Sequence, residues 1–104
     1  MPGYLIANIE VRDAALYGRY REEVAPLVAA FGGRFLVRGG ELEILEGELP
    51  LKRLVVLEFP SLAEARRFYN SDEYRPVMQL RLDSCVSHVV LVEGYAAEPA
   101  RAPT

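Results

Sequence analysis

Apolar and polar residues alternate along Tyr4–Val11. Leu5, Ala7, Ile9 and Val11 fall on one side, Tyr4, Ile6, Asn8 and Glu10 on the other. A period of two marks a strand with two unlike faces. The period then changes. Leu16, Tyr20, Val24, Leu27 and Phe31 recur at spacings of four, four, three and four, the stripe of an amphipathic helix. Asp13 stands where an N-cap belongs. Pro26 falls inside the stripe and removes the bond back to Glu22, which predicts a kink.

Two glycine pairs bracket the next stretch, Gly32-Gly33-Arg34-Phe35-Leu36-Val37-Arg38-Gly39-Gly40. It reads as a short second strand, with Phe35 and Val37 on one face and Arg34, Leu36 and Arg38 on the other. Gly32 and Gly33 can take the positive φ that ends a helix, and Gly39 and Gly40 suggest a bulge or bend. Leu42, Ile44 and Leu45 are candidates for a hairpin arm before the turn residues Glu46 to Pro50. A third strand follows from about Lys52 to Phe59, with Arg53, Val55, Leu57 and Phe59 on one face and Leu54, Val56 and Glu58 on the other. Ser61-Leu62-Ala63-Glu64 matches a capping box, so a second helix starts at Ser61, with Leu62, Ala65, Phe68 and Tyr69 inward. A short helix over Tyr74–Asp83 and a fourth strand over Val86–Glu93 complete the pattern. Residues 1–95 form one domain in this reading, and 96–104 a flexible tail.

The order β-α-β-β-α-β, with the second helical region split, predicts an α+β ferredoxin-like sandwich. Helices would cover one face of a four-stranded antiparallel sheet ordered 4-1-3-2. The uncovered face would carry Ile6, Leu36, Leu54 and Val56, with Val90 and Val92. That is more aliphatic surface than a monomer usually leaves in water. A homodimer joined through the open sheet face would bury it.

Composition narrows the function classes. The chain has 104 residues, is 51% hydrophobic and carries a net charge of −3, as expected of a single globular domain. A single cysteine, Cys85, and a single histidine, His88, argue against a disulfide, a multi-cysteine metal site or a His-based zinc site. No phosphate loop or nucleotide-binding glycine fingerprint is present, so no cofactor is expected. No signal peptide and no run of about 18 apolar residues is visible, so the expectation is a cytoplasmic protein with no membrane span. The β-α-β-β-α-β order is shared with RNA-recognition domains, whose central strands carry stacking aromatics. Here those positions hold Leu36, Leu54 and Val56 in an acidic chain, and nucleic acid is rejected as a partner.

The glycine-bracketed motif, Glu46-Gly47, the run Arg53-Leu54-Val55-Val56-Leu57-Glu58-Phe59-Pro60-Ser61, and Tyr69, Tyr74 and Arg81 together resemble the bacterial domain-of-unknown-function family thirteen-thirty. The resemblance spans about Met1 to Gly94. It implies the dimeric α/β-barrel superfamily, which includes cofactor-free monooxygenases, small isomerases and decarboxylase-like enzymes. It implies no reaction, since the family has no established one.

Candidate site residues follow from the open face. Arg38 or Arg34 can meet Glu58 across the hairpin: a turn centred near Glu48 selects Arg38, one near Glu46 selects Arg34. An enclosed arginine would clamp a carboxylate, enolate or phosphate, and Glu58 in a dry pocket would act as a general base. A structural ion pair is the alternative. Asn8, Glu10 and His88 form a second candidate group on neighbouring strands, with His88 as an acid or base near neutral pH. Tyr20, and with it Tyr17, Tyr69 and Tyr74, would orient a ligand or simply pack. Arg81 reads as a surface or interface charge, and Cys85 as inert. The function these residues suggest is a small-molecule pocket between the sheet and either the partner or the covering helices. Cofactor-independent acid–base chemistry on a small organic acid or enolisable compound would fit it. The alternative is a non-catalytic ligand-binding or stress-associated dimer.

Overall fold

A computed structural model describes residues 1–95. The tail expected over 96–104 lies outside the described residues. Among these, β1 (Gly3–Val11), α1 (Ala14–Ala30), β2 (Arg34–Arg38), β3 (Leu54–Phe59), α2 (Leu62–Tyr69), α3 (Tyr74–Ser84) and β4 (Cys85–Glu93) follow in order. The strands form one antiparallel sheet in the order β2-β3-β1-β4, the ferredoxin-like α+β arrangement. The two long strands β1 and β4 lie side by side along their whole length, from Gly3 opposite Glu93 to Val11 opposite Cys85.

Local signals place the helices. Asp13 accepts the Leu16 amide at 3.1 Å and Ser61 accepts the Glu64 amide at 3.1 Å, so each side chain satisfies an orphan donor at its helix start. Helix α1 ends in a Schellman motif: the Gly33 amide reaches Val28 O at 2.8 Å and the Gly32 amide reaches Ala29 O at 3.0 Å. Gly32, at φ +78°, supplies the left-handed residue that this requires, while Gly33 does not adopt positive φ. Pro26 does not end α1, which runs on to Ala30. The wholly buried residues of α1 are Tyr17, Val24 and Val28, with Leu16, Tyr20, Leu27 and Phe31 half-buried, so the buried stripe is turned slightly from the one the spacing predicts.

The core lies between the sheet and the helices. Leu5, Ala7 and Ile9 of β1 and Leu57 and Phe59 of β3 meet Val24 and Val28 of α1, Ala65 and Phe68 of α2, and Tyr74 and Val77 of α3. Phe68 is its centre, with ring centroids at 5.1 Å from Phe59, 5.7 Å from Phe31 and 4.5 Å from Tyr74. Close ring packing of this kind adds about 0.5–1.5 kcal/mol per pair beyond area burial.

Two expectations are corrected in the β2–β3 connection. Leu42–Leu45 form no hairpin arm; residues 39–53 are irregular. Their anchor is the Asn8 side chain, whose Nδ2 donates to Pro50 O at 3.0 Å and whose Oδ1 accepts from the Lys52 amide at 2.8 Å. Of the bulge or bend expected at Gly39-Gly40, the bend is there, with Gly39 at φ +72°, while the bulge lies inside β2. Phe35 stands opposite Leu57 and Val37 opposite Val56, so Leu36 is the extra residue. One inserted residue reverses every side chain after it. Val37 therefore joins the open face, and Arg38, opposite Val55, turns to the helix-covered face.

Candidate functional site

The bulge separates the residues expected to form one site. Arg34 stays on the open face, opposite Glu58, and its Nε donates to Glu58 Oε1 at 2.8 Å. Tyr4 donates to the other carboxylate oxygen at 3.3 Å. The pair is Arg34–Glu58, as a turn near Glu46 predicts. Arg38 does not take part, because it lies on the other side of the sheet. Arg34 is 71% exposed, and an ion pair so open contributes about 0–1 kcal/mol. Asn8 and His88 are opposed on β1 and β4, but the Asn8 amide is occupied by the loop backbone and His88 is exposed. Glu10 pairs with Arg12 at 3.1 Å. The open face thus spreads the candidates out and leaves Val37, Val86, Val90 and Val92 exposed around them.

The other face encloses a narrow cavity of about 30 Å³ between the sheet and α1 and α3. That is room for one or two waters. Aliphatic side chains of the sheet form its floor, and Tyr17, Tyr20 and Tyr74 its aromatic wall. Its polar groups are few and connected. The Tyr20 and Tyr74 hydroxyls share a hydrogen bond of 2.8 Å. Arg81 Nε donates to the Tyr74 hydroxyl at 3.4 Å, and Arg81 Nη1 donates to Ser87 Oγ.

Arg81 is the residue whose expected place is overturned. It is 3% exposed, in the last turn of α3, and faces the cavity instead of solvent. Its spacing of seven from Tyr74, two turns of helix, puts both on the inward face. No carboxylate pairs with it among the described residues. Burial works against its charge, but the hydroxyls of Tyr74, Tyr20 and Tyr69 offset this and hold its pKa above the usual value. Burial drives Tyr20 far the other way from ionisation: desolvation, then the neighbouring Tyr74, raise its pKa well above that of a free phenol, so Tyr20 remains a neutral donor. Cys85 is buried against Arg81 O at 3.0 Å, and burial likewise raises its thiol pKa.

Among the described residues Arg21, Arg38 and Arg81 hold no carboxylate and line this cavity, whereas Arg53 and Arg66, also without one, are not part of its lining. Arg12, Arg19, Arg34, Arg67 and Arg75 each hold a carboxylate. Arg21 and Arg38 line the cavity, and Arg53 lies against Tyr17 with its Cζ 5.7 Å from the ring centroid. Arg38 stacks over Phe35 at 4.0 Å and its Nη2 donates to Arg21 O at 2.8 Å. Desolvation first, then the charge of Arg21, lowers the Arg38 pKa, with Arg53 adding to it. Arg53 Nε is buried without a hydrogen-bond partner. Of the ligand-binding candidates, Arg38 and Tyr20 line this cavity, and so do Tyr17 and Tyr74; Arg21 and Arg81 are additional. The spacing of seven between Tyr74 and Arg81 is the signal for the second of these.

Among the described residues no cluster of three or more His, Cys, Asp or Glu could hold a metal ion, and no helix is long and apolar enough to cross a membrane.

A family model described as a domain of unknown function, DUF1330, matches residues 2–95. A comparison with curated proteins finds no match. Solved structures do resemble the chain. The RPA0582 protein of unknown function from Rhodopseudomonas palustris is 18% identical, with a TM-score of 0.73 over 92% of this chain and 84% of that one. A dimeric ferredoxin-like protein of unknown function from Jannaschia sp. CCS1 is 16% identical, with a TM-score of 0.63 over 90% of this chain and 100% of that one. SnoaB, a cofactor-independent oxygenase from Streptomyces nogalater, is 15% identical, with a TM-score of 0.53 over 94% of this chain and 97% of that one. At such identities the likeness establishes the fold.

Proposed function

The chain belongs to the DUF1330 family, domains of unknown function, and from that premise we propose that it is a homodimer that binds a small organic anion in the helix-covered cavity, whose volume of about 30 Å³ must widen to admit one. The observation that carries this is Arg81: a guanidinium 3% exposed, facing a cavity, with two hydroxyls but no carboxylate to answer its charge. A buried cation without a counter-charge is costly, and a ligand carboxylate, enolate or phenolate would supply one. Arg81 Nη2 has no acceptor among the described residues, so it is available to a ligand. The Tyr20–Tyr74 pair would donate to the same anion, and the aliphatic floor would take its apolar part.

A catalytic reading rests on the same groups. Among the described residues, none that lines the cavity carries a carboxylate, imidazole or thiol. Proton handling there falls to Tyr20 and Tyr74, while Glu58 and His88 lie on the opposite face. Such a site suits cofactor-independent stabilisation of an enolate from an already acidic compound better than proton abstraction from a weak carbon acid. The structural likeness to a cofactor-independent oxygenase supports that a cavity on this fold can host chemistry without a cofactor.

Benzoate titrated into the full-length protein tests the binding. Six tyrosines and no tryptophan make tyrosine fluorescence a direct readout. Saturable binding at about 1 mM or tighter is expected. Arg81→Lys, which replaces a planar fork by a point charge, should weaken it at least about tenfold. Absence of saturable binding for benzoate, hexanoate and inorganic phosphate alike would sink the proposal.

A further inference from the structure

Arg21, Arg38 and Arg53 meet where α1, the end of β2 and the start of β3 come together. Arg38 Nη2 donates to the Arg21 carbonyl at 2.8 Å, which ties β2 to α1. Arg53 lays its guanidinium against Gly39, the residue after Arg38, and a Cβ added at Gly39 would run into it. Arg53 Cζ also lies 5.7 Å from the Tyr17 ring, one helical turn before Arg21. Desolvation first, then the charge of Arg21 and, more weakly, that of Arg53 lower the Arg38 pKa, as expected of neighbouring cations. Arg21 is exposed, and Arg38 and Arg53 are half-buried. The cluster is therefore open to water, and an anion reaches it without entering the cavity.

Like charges gathered in this way repel unless something answers them. General basicity does not explain the cluster, since the chain has 15 acidic against 12 basic residues. Among the described residues none of the three arginines holds a carboxylate. Arg53 Nε is buried without a hydrogen-bond partner, and a buried orphan donor calls for an acceptor. Arg38 has committed one of its five N–H donors, to the Arg21 carbonyl. The faces of Phe35, 4.0 Å from Arg38 Cζ, and Tyr17 hold two of the guanidinium groups in place before any ligand arrives. We propose that Arg21, Arg38 and Arg53 form an oxyanion site for a phosphoryl group, as the free ion or as a phosphate monoester. The site does not use Arg81 and goes beyond the cavity reading above. A carboxylate offers one charge on two oxygens. A phosphoryl group carries close to two charges at neutral pH on at least three oxygens, enough to meet three guanidinium forks at once.

Calorimetric titration of the full-length protein at low ionic strength with inorganic phosphate, phenyl phosphate and acetate gives the test. Inorganic phosphate or phenyl phosphate should bind saturably and at least about tenfold tighter than acetate, and the order of the two tells free ion from monoester. Arg21→Met changes an exposed side chain and leaves the core alone; it should weaken that binding at least about tenfold. Arg38→Met and Arg53→Met should do the same, with far-ultraviolet dichroism checking that they fold. Arg66→Met removes an arginine of α2 that also lacks a carboxylate among the described residues but lies outside the cluster, and it should change binding less than about twofold. Equal weakening by Arg66→Met would mean diffuse attraction to surface charge and overturns the inference. Binding that survives the substitutions at Arg21, Arg38 and Arg53 overturns it as well. Weakening by Arg81→Lys as large as that by Arg38→Met would put the phosphate beside Arg81 and overturn it in favour of the cavity. Acetate binding as tight as phosphate, or no saturable phosphate binding, also overturns it, and either result leaves the benzoate test of the cavity standing.

Discussion

Tyr20 and Arg81 meet in the cavity from different helices, joined by the Tyr74 hydroxyl. Their protonation carries a consequence for stability. Burial raises the Tyr20 pKa in the folded protein, whereas the unfolded chain has a phenol near pH 10. Above that pH the unfolded state loses a proton that the folded state keeps. The stability contribution is complete below about pH 10 and falls above it, by up to about 1.4 kcal/mol per pH unit. Cys85 is shifted in the same sense by burial and begins to act lower, near pH 8.5. Urea unfolding of wild type and Tyr20→Phe between pH 9 and 11 separates the two. The variant keeps the Cys85 effect and should show the shallower decline above pH 10. Equal slopes would mean that Tyr20 ionises freely in the folded state.

At the scale of elements, the Leu36 bulge decides which arginine serves which face. Had β2 paired without the bulge, Arg38 would fall opposite Leu54 on the open face and the cavity would lose its cation at the β2 edge. The loop 39–53 is set by a second device. Gly39, at φ +72°, turns the chain off β2, and Asn8 fastens the far end through Pro50 and Lys52. Asn8→Ala removes two hydrogen bonds from partly exposed backbone and should cost about 1–2 kcal/mol. Its signature is local. Cleavage by a glutamate-specific protease within Glu41–Glu48 should speed up severalfold, while hydrogen exchange in the centre of β1 changes little. An unchanged cleavage rate would show that the loop is held by something other than Asn8.

On the scale of the whole molecule, the two sheet faces have divided the work. One supplies the core and the cavity. The other presents Val86 (47% exposed), Val90 (55%) and Val92 (45%) with Leu36 and Val37 beside half-buried Ile6, Leu54 and Val56. The proposed dimer would cover this surface, and Arg34–Glu58 would lie within or at the edge of it. Val90 sits opposite Ile6 on the long strands β4 and β1. Val90→Glu would place a charge in an apolar contact, and light scattering at micromolar concentration should then report the mass of one chain in place of two, with unchanged secondary structure. A wild-type protein that already scatters as one chain would dispose of the sheet-to-sheet dimer.

Sequence by itself determined whatever depends on neighbours along the chain. The period of two in Tyr4–Val11, the caps at Asp13 and Ser61 and the glycine stop after Phe31 are local physics, and each element formed near its expected bounds. The antiparallel order β2-β3-β1-β4 followed, because few topologies join such elements without crossing connections. The site was legible only in part. Tyr20 and Arg38 are in it, but alternation alone puts Arg38 on the wrong face, since a bulge arises from pairing with another strand and leaves no mark there. Arg81 reads as a surface or interface charge because charge usually follows water. Whether a helical arginine is buried depends on what packs over it, and Tyr20 of α1 and Ser87 of β4 close over it only in the assembled fold. The gathering of Arg21, Arg38 and Arg81 around one cavity joins positions 60 residues apart in the chain, and no local pattern encodes it: tertiary structure decided the site.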